Sequence, residues 1–129
     1  MPNSLLLDTC AVLWLVSGDS RLSAQARGLI DAAPFVYVSP ITAWEVSLKV
    51  AQGSLSLPLK PSVWFERAMK AHHLEWLPLS PDILTHANDL PWHHRDPADR
   101  FILAGALLNR LDVVTADTRF AAYGVTTLI

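Results

Sequence analysis

With a single cysteine, Cys10, the chain can form no internal disulfide. That points to a reducing compartment and to a fold held together by packing. The five glycines stand apart, and none builds the glycine-rich loop that cradles a nucleotide phosphate. No GxSxG elbow supports a Ser/His/Asp hydrolase. Cysteine and histidine show no paired zinc spacing. Positive charge is scarce: ten Lys and Arg stand against twelve Asp and Glu, for a formal net charge of −2. A protein that holds nucleic acid by bulk charge is basic. Any such contact here needs a local patch, with a cation offsetting the acids. No uncharged apolar run approaches the roughly 18 residues that mark a membrane span. The apolar run near the start stops at Asp8 and follows no basic stretch, which argues against a signal peptide. The expectation is a cytoplasmic protein with no membrane association.

What the chain has is apolar content, 51% of its 129 residues against 17% charged. That suits one domain over residues 1–129 and excludes a disordered tail as the main content. Apolar or β-branched runs at 5–7, 35–38, 74–79, 112–116 and 125–128 predict strands. Helical patterns fill the intervals at 10–17, 22–31, 41–52, 62–72, 81–88 and 97–109, with a short helical turn at 118–123. Ser39-Pro40, Ser80-Pro81 and Asp96-Pro97 each set an N-cap residue before a proline at the first helical position. Residues 53–59 and 90–95 read as loops. Strand and helix alternate from end to end. This predicts an α/β fold with a central, mostly parallel sheet of about five strands, covered on both faces. Such sheets bind ligands beyond the carboxyl ends of their strands.

Acids fall where that layout makes them informative. Asp8 ends the first strand and Asp117 follows the fourth. Asp96 and Asp99 open the helix at Pro97, and Glu45 lies just over one turn into the helix after the second strand. A parallel sheet brings all five to one edge. Local explanations compete for each. Asp8 and Asp117 can cap the helices after them. Asp96 in Asp-Pro-Ala-Asp has the form of a cap, and Asp99 at N3 suits the helix dipole. Glu45 shares a stripe with Ile41, Trp44 and Leu48 at helical spacing, and Lys49 at i+4 offers it an ion pair. Taken together, four or five carboxylates at one edge repel each other unless a cation joins them. Oxygen ligands without a Cys or His cluster favour a hard ion, Mg²⁺ or Mn²⁺. That ion suits hydrolysis of a phosphodiester.

Four segments carry a family resemblance: LLLDTCAVLWL (5–15), SPITAWEVSLKV (39–50), HRDPADRFILAGAL (94–107) and VVTADTRFAAYGV (113–125). With them the chain resembles PIN-domain nucleases, and most closely the VapC-type toxins of toxin–antitoxin pairs. The resemblance implies a three-layer α/β/α fold, an acidic site for Mg²⁺ or Mn²⁺, and endonuclease activity on RNA. It implies Asp8, Glu45, Asp99 and Asp117 as the four site acids. Asp96 belongs to a DPxDR form of the third motif and is a further candidate ligand. Thr9 and Thr115 occupy supporting hydroxyl positions. The expected roles are metal binding by Asp8, Asp99 and Asp117, and orientation or deprotonation of water by Glu45. Arg95 or Arg100 would stabilise phosphate charge, although Arg100 can also pair with Asp96 at i−4. A homodimer and a cognate antitoxin laid over the site are the implied partners.

Two rival readings fit less well. A receiver-like phosphoacceptor domain needs an Asp after the central strand and a late Lys, but residues 74–79 lead into Ser-Pro and no Lys follows Lys70. A non-catalytic PIN-like binding module need not keep all four acids, and this chain has them. Of the remaining features, His93-His94 reads as a solvated loop pair. Trp14 and Trp44 read as core, and Trp64 and Trp92 as surface.

Overall fold

A computed structural model of the chain describes residues 3–128. Among these, five strands form one sheet: β1 (Leu5–Leu7), β2 (Val36–Val38), β3 (Glu75–Trp76), β4 (Asp112–Val114) and β5 (Thr127–Leu128). Their order is β3-β2-β1-β4-β5, and every pairing is parallel. Helices α1 (Thr9–Ser17), α2 (Ala24–Ala32), α3 (Pro40–Ala51), α4 (Pro61–Ala71), α5 (Pro81–Asp89) and α6 (Pro97–Asn109) occupy the intervals, and a 3-10 turn spans Thr118–Tyr123.

Strand β1 shows why the sheet is covered twice. Side chains alternate across a strand. Leu5 and Leu7 therefore enter one core with Val12 of α1, Ile30 of α2, Val46 of α3 and Phe65 of α4. Leu6 enters a second core with Ile83 of α5, Ile102 and Leu103 of α6, and Phe120. Burying a leucine completely stabilises by roughly 1.5–3 kcal/mol, so an apolar run this short still fixes which segment becomes the central strand. Helix α6 approaches closely at Gly105, where a Cβ would meet Leu77 Cδ2 at 3.1 Å.

The three Ser/Asp-Pro signals all mark helix starts. Ser39, Ser80 and Asp96 cap α3, α5 and α6 through side-chain acceptors to Ile41, Ile83 and Ala98. β1 matches its sequence pattern, and the other four strands are shorter than theirs. β3 stops at Trp76, although the Leu77 N–H still reaches the Val38 carbonyl at 2.9 Å. Pro78 follows, and it has no N–H to continue the ladder. β4 ends at Val114 because the next residues turn to present Asp117.

Two tryptophan assignments need correction. Trp44 is 58% exposed, and Leu48 on the same stripe is exposed too. The buried face of α3 is Thr42 and Val46. Of the apolar stripe shared by Glu45, only Ile41 packs against a core, and Glu45 itself lies at the sheet's carboxyl edge. Trp64 is buried, at 7% exposure, and packs edge-on against Phe65 with ring centres 4.9 Å apart. Neighbouring elements decide which face of a short helix is covered, and apolar count along one stripe does not. No helix among the described residues is long and apolar enough to cross a membrane.

Candidate active site

Chain order reverses between β1 and β4, so a crevice opens beyond their carboxyl ends. Asp8 leaves β1 and Asp117 follows β4, one on each side of it. Helix α3 brings Glu45 and α6 brings Asp96 and Asp99. All five acids line one cleft of about 220 Å³, together with Thr9, Cys10 and Lys49.

Each acid is held by its own local structure. Asp8 caps α1: its Oδ1 accepts the Ala11 N–H at 2.8 Å, and its Oδ2 accepts the Thr115 hydroxyl at 2.5 Å. The Thr115 Oγ1 in turn accepts the Asp117 N–H at 3.0 Å, which ties β1 to the turn after β4. Glu45 Oε1 accepts the Thr9 hydroxyl at 2.5 Å. Thr9 Oγ1 also lies 3.0 Å from Thr42 Oγ1. A hydroxyl has one proton to donate, so the chain runs from Thr42 to Thr9 to Glu45. Asp117 caps the 3-10 turn, and its two oxygens accept Nε and Nη2 of Arg119 at 3.0 and 2.8 Å. Asp96 caps α6 and lines the cleft as well, so capping does not remove it from the site.

His94 is the residue that sequence reasoning missed. It is 1% exposed, not a solvated loop histidine. Its Nε2 lies 2.9 Å from Asp99 Oδ2 and 2.9 Å from Asp117 Oδ2. His93 remains exposed and meets Tyr123 edge-on. The only sequence signal was adjacency to Arg95-Asp96, which does not say which of two histidines turns inward.

Arg100 is the clearest correction. It neither pairs with Asp96 nor reaches the cleft. Its guanidinium is buried, at 3% exposure, and donates to the carbonyls of Ala87, Leu90, Pro91 and His94 at 2.6–3.0 Å. Trp92, 62% exposed, covers it at 3.6 Å. A rigid five-donor fork suits a pocket where one carbonyl of α5 and three of the loop after it converge. Arg95 is exposed and stands outside the residues that line the cleft. Lys49 is the cation on its wall.

The electrostatics are uneven. Burial pushes the Asp99 carboxyl up to about 7, with Asp96, Glu45, Asp8 and Asp117 adding like-charge repulsion. Burial also raises Asp8, against the hydrogen bonds from Thr115 and Ala11. Asp117 goes the other way, to about 2, chiefly because the Arg119 side chain bonds its charged form. One oxygen each of Asp99 and Asp117 and one His94 ring nitrogen lie within 4.8 Å of each other. The residues fit a divalent cation: oxygen donors converge, and burial with like-charge repulsion disfavours the charged forms of Asp8 and Asp99 unless a cation joins them.

Comparison with known proteins bears on this site. The family model described as PIN domain matches residues 5–125. Ribonuclease VapC22 of Mycobacterium tuberculosis (strain ATCC 25618 / H37Rv) is 28% identical over 121 residues, which cover 93% of this chain and 92% of that protein. A solved structure of FitAB bound to an IR36 DNA fragment is similar with a TM-score of 0.67 at 25% identity, covering 96% of this chain and 93% of that one. VapBC2 from Rickettsia felis, bound to a DNA fragment from its promoter, shares the fold with a TM-score of 0.71 at 14% identity over 97% of each chain.

Proposed function

The chain belongs to the PIN-domain family, and from that premise we propose that it is a divalent-metal-dependent endoribonuclease acting as the toxin of a toxin–antitoxin pair. The observation that carries the reading is the convergence of Asp8, Glu45, Asp96, Asp99 and Asp117 in one cleft at the sheet's switch point. Asp8, Asp99 and Asp117 would hold Mg²⁺ or Mn²⁺, with Asp96 at the rim. When bound, such an ion supplies positive charge to a phosphoryl oxygen and makes a nearby water more acidic.

The chain's own residues divide the remaining work. Thr115 and the Ala11 N–H point the Asp8 carboxylate into the cleft. The Thr42–Thr9 relay orients Glu45, which accepts a proton from the attacking water or aligns it. Lys49, on the cleft wall, and the exposed Arg95 offset charge on the phosphate in the transition state, a role the buried Arg100 cannot take. The name of the 28%-identical ribonuclease supports RNA as substrate. The motif resemblance to VapC-type toxins supports a homodimer and an antitoxin partner; a monomeric mass by sedimentation equilibrium counts against the dimer.

Cleavage of total RNA with Mg²⁺, with EDTA, and by the folded variants Asp8→Asn and Asp99→Asn tests the assignment. Chelation should abolish cleavage, and each variant should lose on the order of 100-fold or more in rate. Undiminished cleavage by the folded variants would overturn it.

A further inference from the structure

We propose that His94 is a positioning residue of the acid cluster and not a metal ligand: fixed in one tautomer, it uses a single ring N–H to hold Asp117 beside Asp99. The inference rests on reading the cleft as a metal site. It starts from the far side of the ring, where Nδ1 accepts the Asp96 backbone N–H at 3.2 Å. A nitrogen that accepts a hydrogen bond carries no proton, so the neutral ring carries its proton on Nε2. That N–H donates to Asp117 Oδ2 at 2.9 Å, with Asp99 Oδ2 equally near. A protonated nitrogen has no lone pair to give a cation. Of the three groups gathered at this point, only the two carboxylates can therefore ligate.

The loop is built to keep the ring in this pose. The His94 N–H donates to the Tyr123 hydroxyl at 2.7 Å, and its carbonyl accepts Arg100 Nη1 at 2.9 Å. Phe120 packs edge-on against the imidazole, with ring centres 5.8 Å apart. Turning the ring over would put carbon against both the Asp96 N–H and the carboxylates. Hydrogen-bond partners of ligating carboxylates orient them, and losing such a partner typically weakens metal binding 10–100-fold.

Nuclear magnetic resonance of metal-free protein labelled with ¹⁵N-histidine, at neutral pH, reads the tautomer directly. The His94 signals, assigned by their loss in His94→Gln, should show a protonated Nε2 and an unprotonated Nδ1. An Nδ1–H tautomer or a doubly protonated ring overturns the proposal. Electron spin-echo spectroscopy of the Mn²⁺-loaded protein should show no coupling from a coordinated imidazole nitrogen; such a coupling, lost in His94→Gln, also overturns it. Calorimetric titration with Mn²⁺ separates donor from bulk. His94→Gln keeps an N–H donor and should bind within about threefold of the native chain, whereas His94→Leu should lose about 10–100-fold. Native affinity in a folded His94→Leu overturns the role. If the native chain binds no Mn²⁺, the metal reading fails, and the tautomer measurement still decides whether His94 is the donor described.

Discussion

The two carboxylates that meet at His94 sit in opposite electrical environments. Asp117 is held by a surface arginine, and its carboxyl is drawn down to about 2. Among the described residues no arginine hydrogen-bonds Asp99; burial, with four neighbouring acids adding to it, pushes it up to about 7. The same side-chain chemistry, within hydrogen-bond reach of one imidazole, thus gives one carboxyl held down to about 2 and one raised to about 7. Burial raises both Asp8 and Asp99, with neighbouring acids adding to it, so the positive charge of the proposed cation would relieve the Asp8–Asp99 side of the cleft most.

The largest expected effect follows from adding that charge. Mg²⁺ binding the folded state alone stabilises it by about 2.7 kcal/mol at a hundred times its Kd. Thermal unfolding at pH 8 should shift upward with Mg²⁺ and return with EDTA, and the gain should be much smaller in Asp99→Asn. An equal gain in both proteins would place the ion elsewhere.

Next in size is the cost of Asp99 in the metal-free protein. Its folded carboxyl lies above its unfolded value of 3.8, so the native state binds more protons between about pH 4 and 7. Stability falls as pH rises through that window. At full strength the shift corresponds to about 4 kcal/mol, and after solvent screening of a partly exposed group to about 2 kcal/mol. Asp99→Asn should therefore be more stable than the native chain at pH 8 in EDTA, with the gap closing toward pH 4. Denaturant unfolding across that range checks it, and a gap that widens on acidification contradicts the repulsion.

The smallest effect belongs to Asp117. A depressed folded pKa contributes stability that is present above the unfolded value and lost as pH falls toward about 2. Arg119→Ala should lower stability slightly at pH 6, with the difference disappearing toward pH 2. Its partner is on the surface, so the change should be well below that of Asp99→Asn. Acid titration of both proteins by circular dichroism measures it; identical acid limbs would mean that Arg119 does not hold Asp117 down in solution.

Much of this site was legible from residue order. Asp8 directly after Leu5–Leu7 and Asp117 soon after Val114 are strand-end acids by inspection. The cap-and-proline pairs marked where α3, α5 and α6 begin. What escaped was side-chain destination. Arg100 looked like a partner for Asp96, yet four carbonyls claim it, one from α5 and three from the loop before α6. Nothing in the sequence singled out Thr42, yet it starts the hydroxyl chain that reaches Glu45. Arg119, two residues beyond Asp117, was visible as a cation but not as a fork on both carboxylate oxygens.

By itself, then, the order of residues determined the strands, the helix starts and the presence of acids at one sheet edge. Those features depend on period, capping and proline, which act over a few neighbouring positions. Tertiary structure alone decided which groups meet: Thr115 with Asp8, 107 positions apart, and His94 with Asp117 across 23. Parallel pairing of β1 with β4 sets the first of these meetings, and a register is a property of two strands together. The uneven charge of the cleft has the same origin, since burial and repulsion exist only once distant acids share a low-dielectric space.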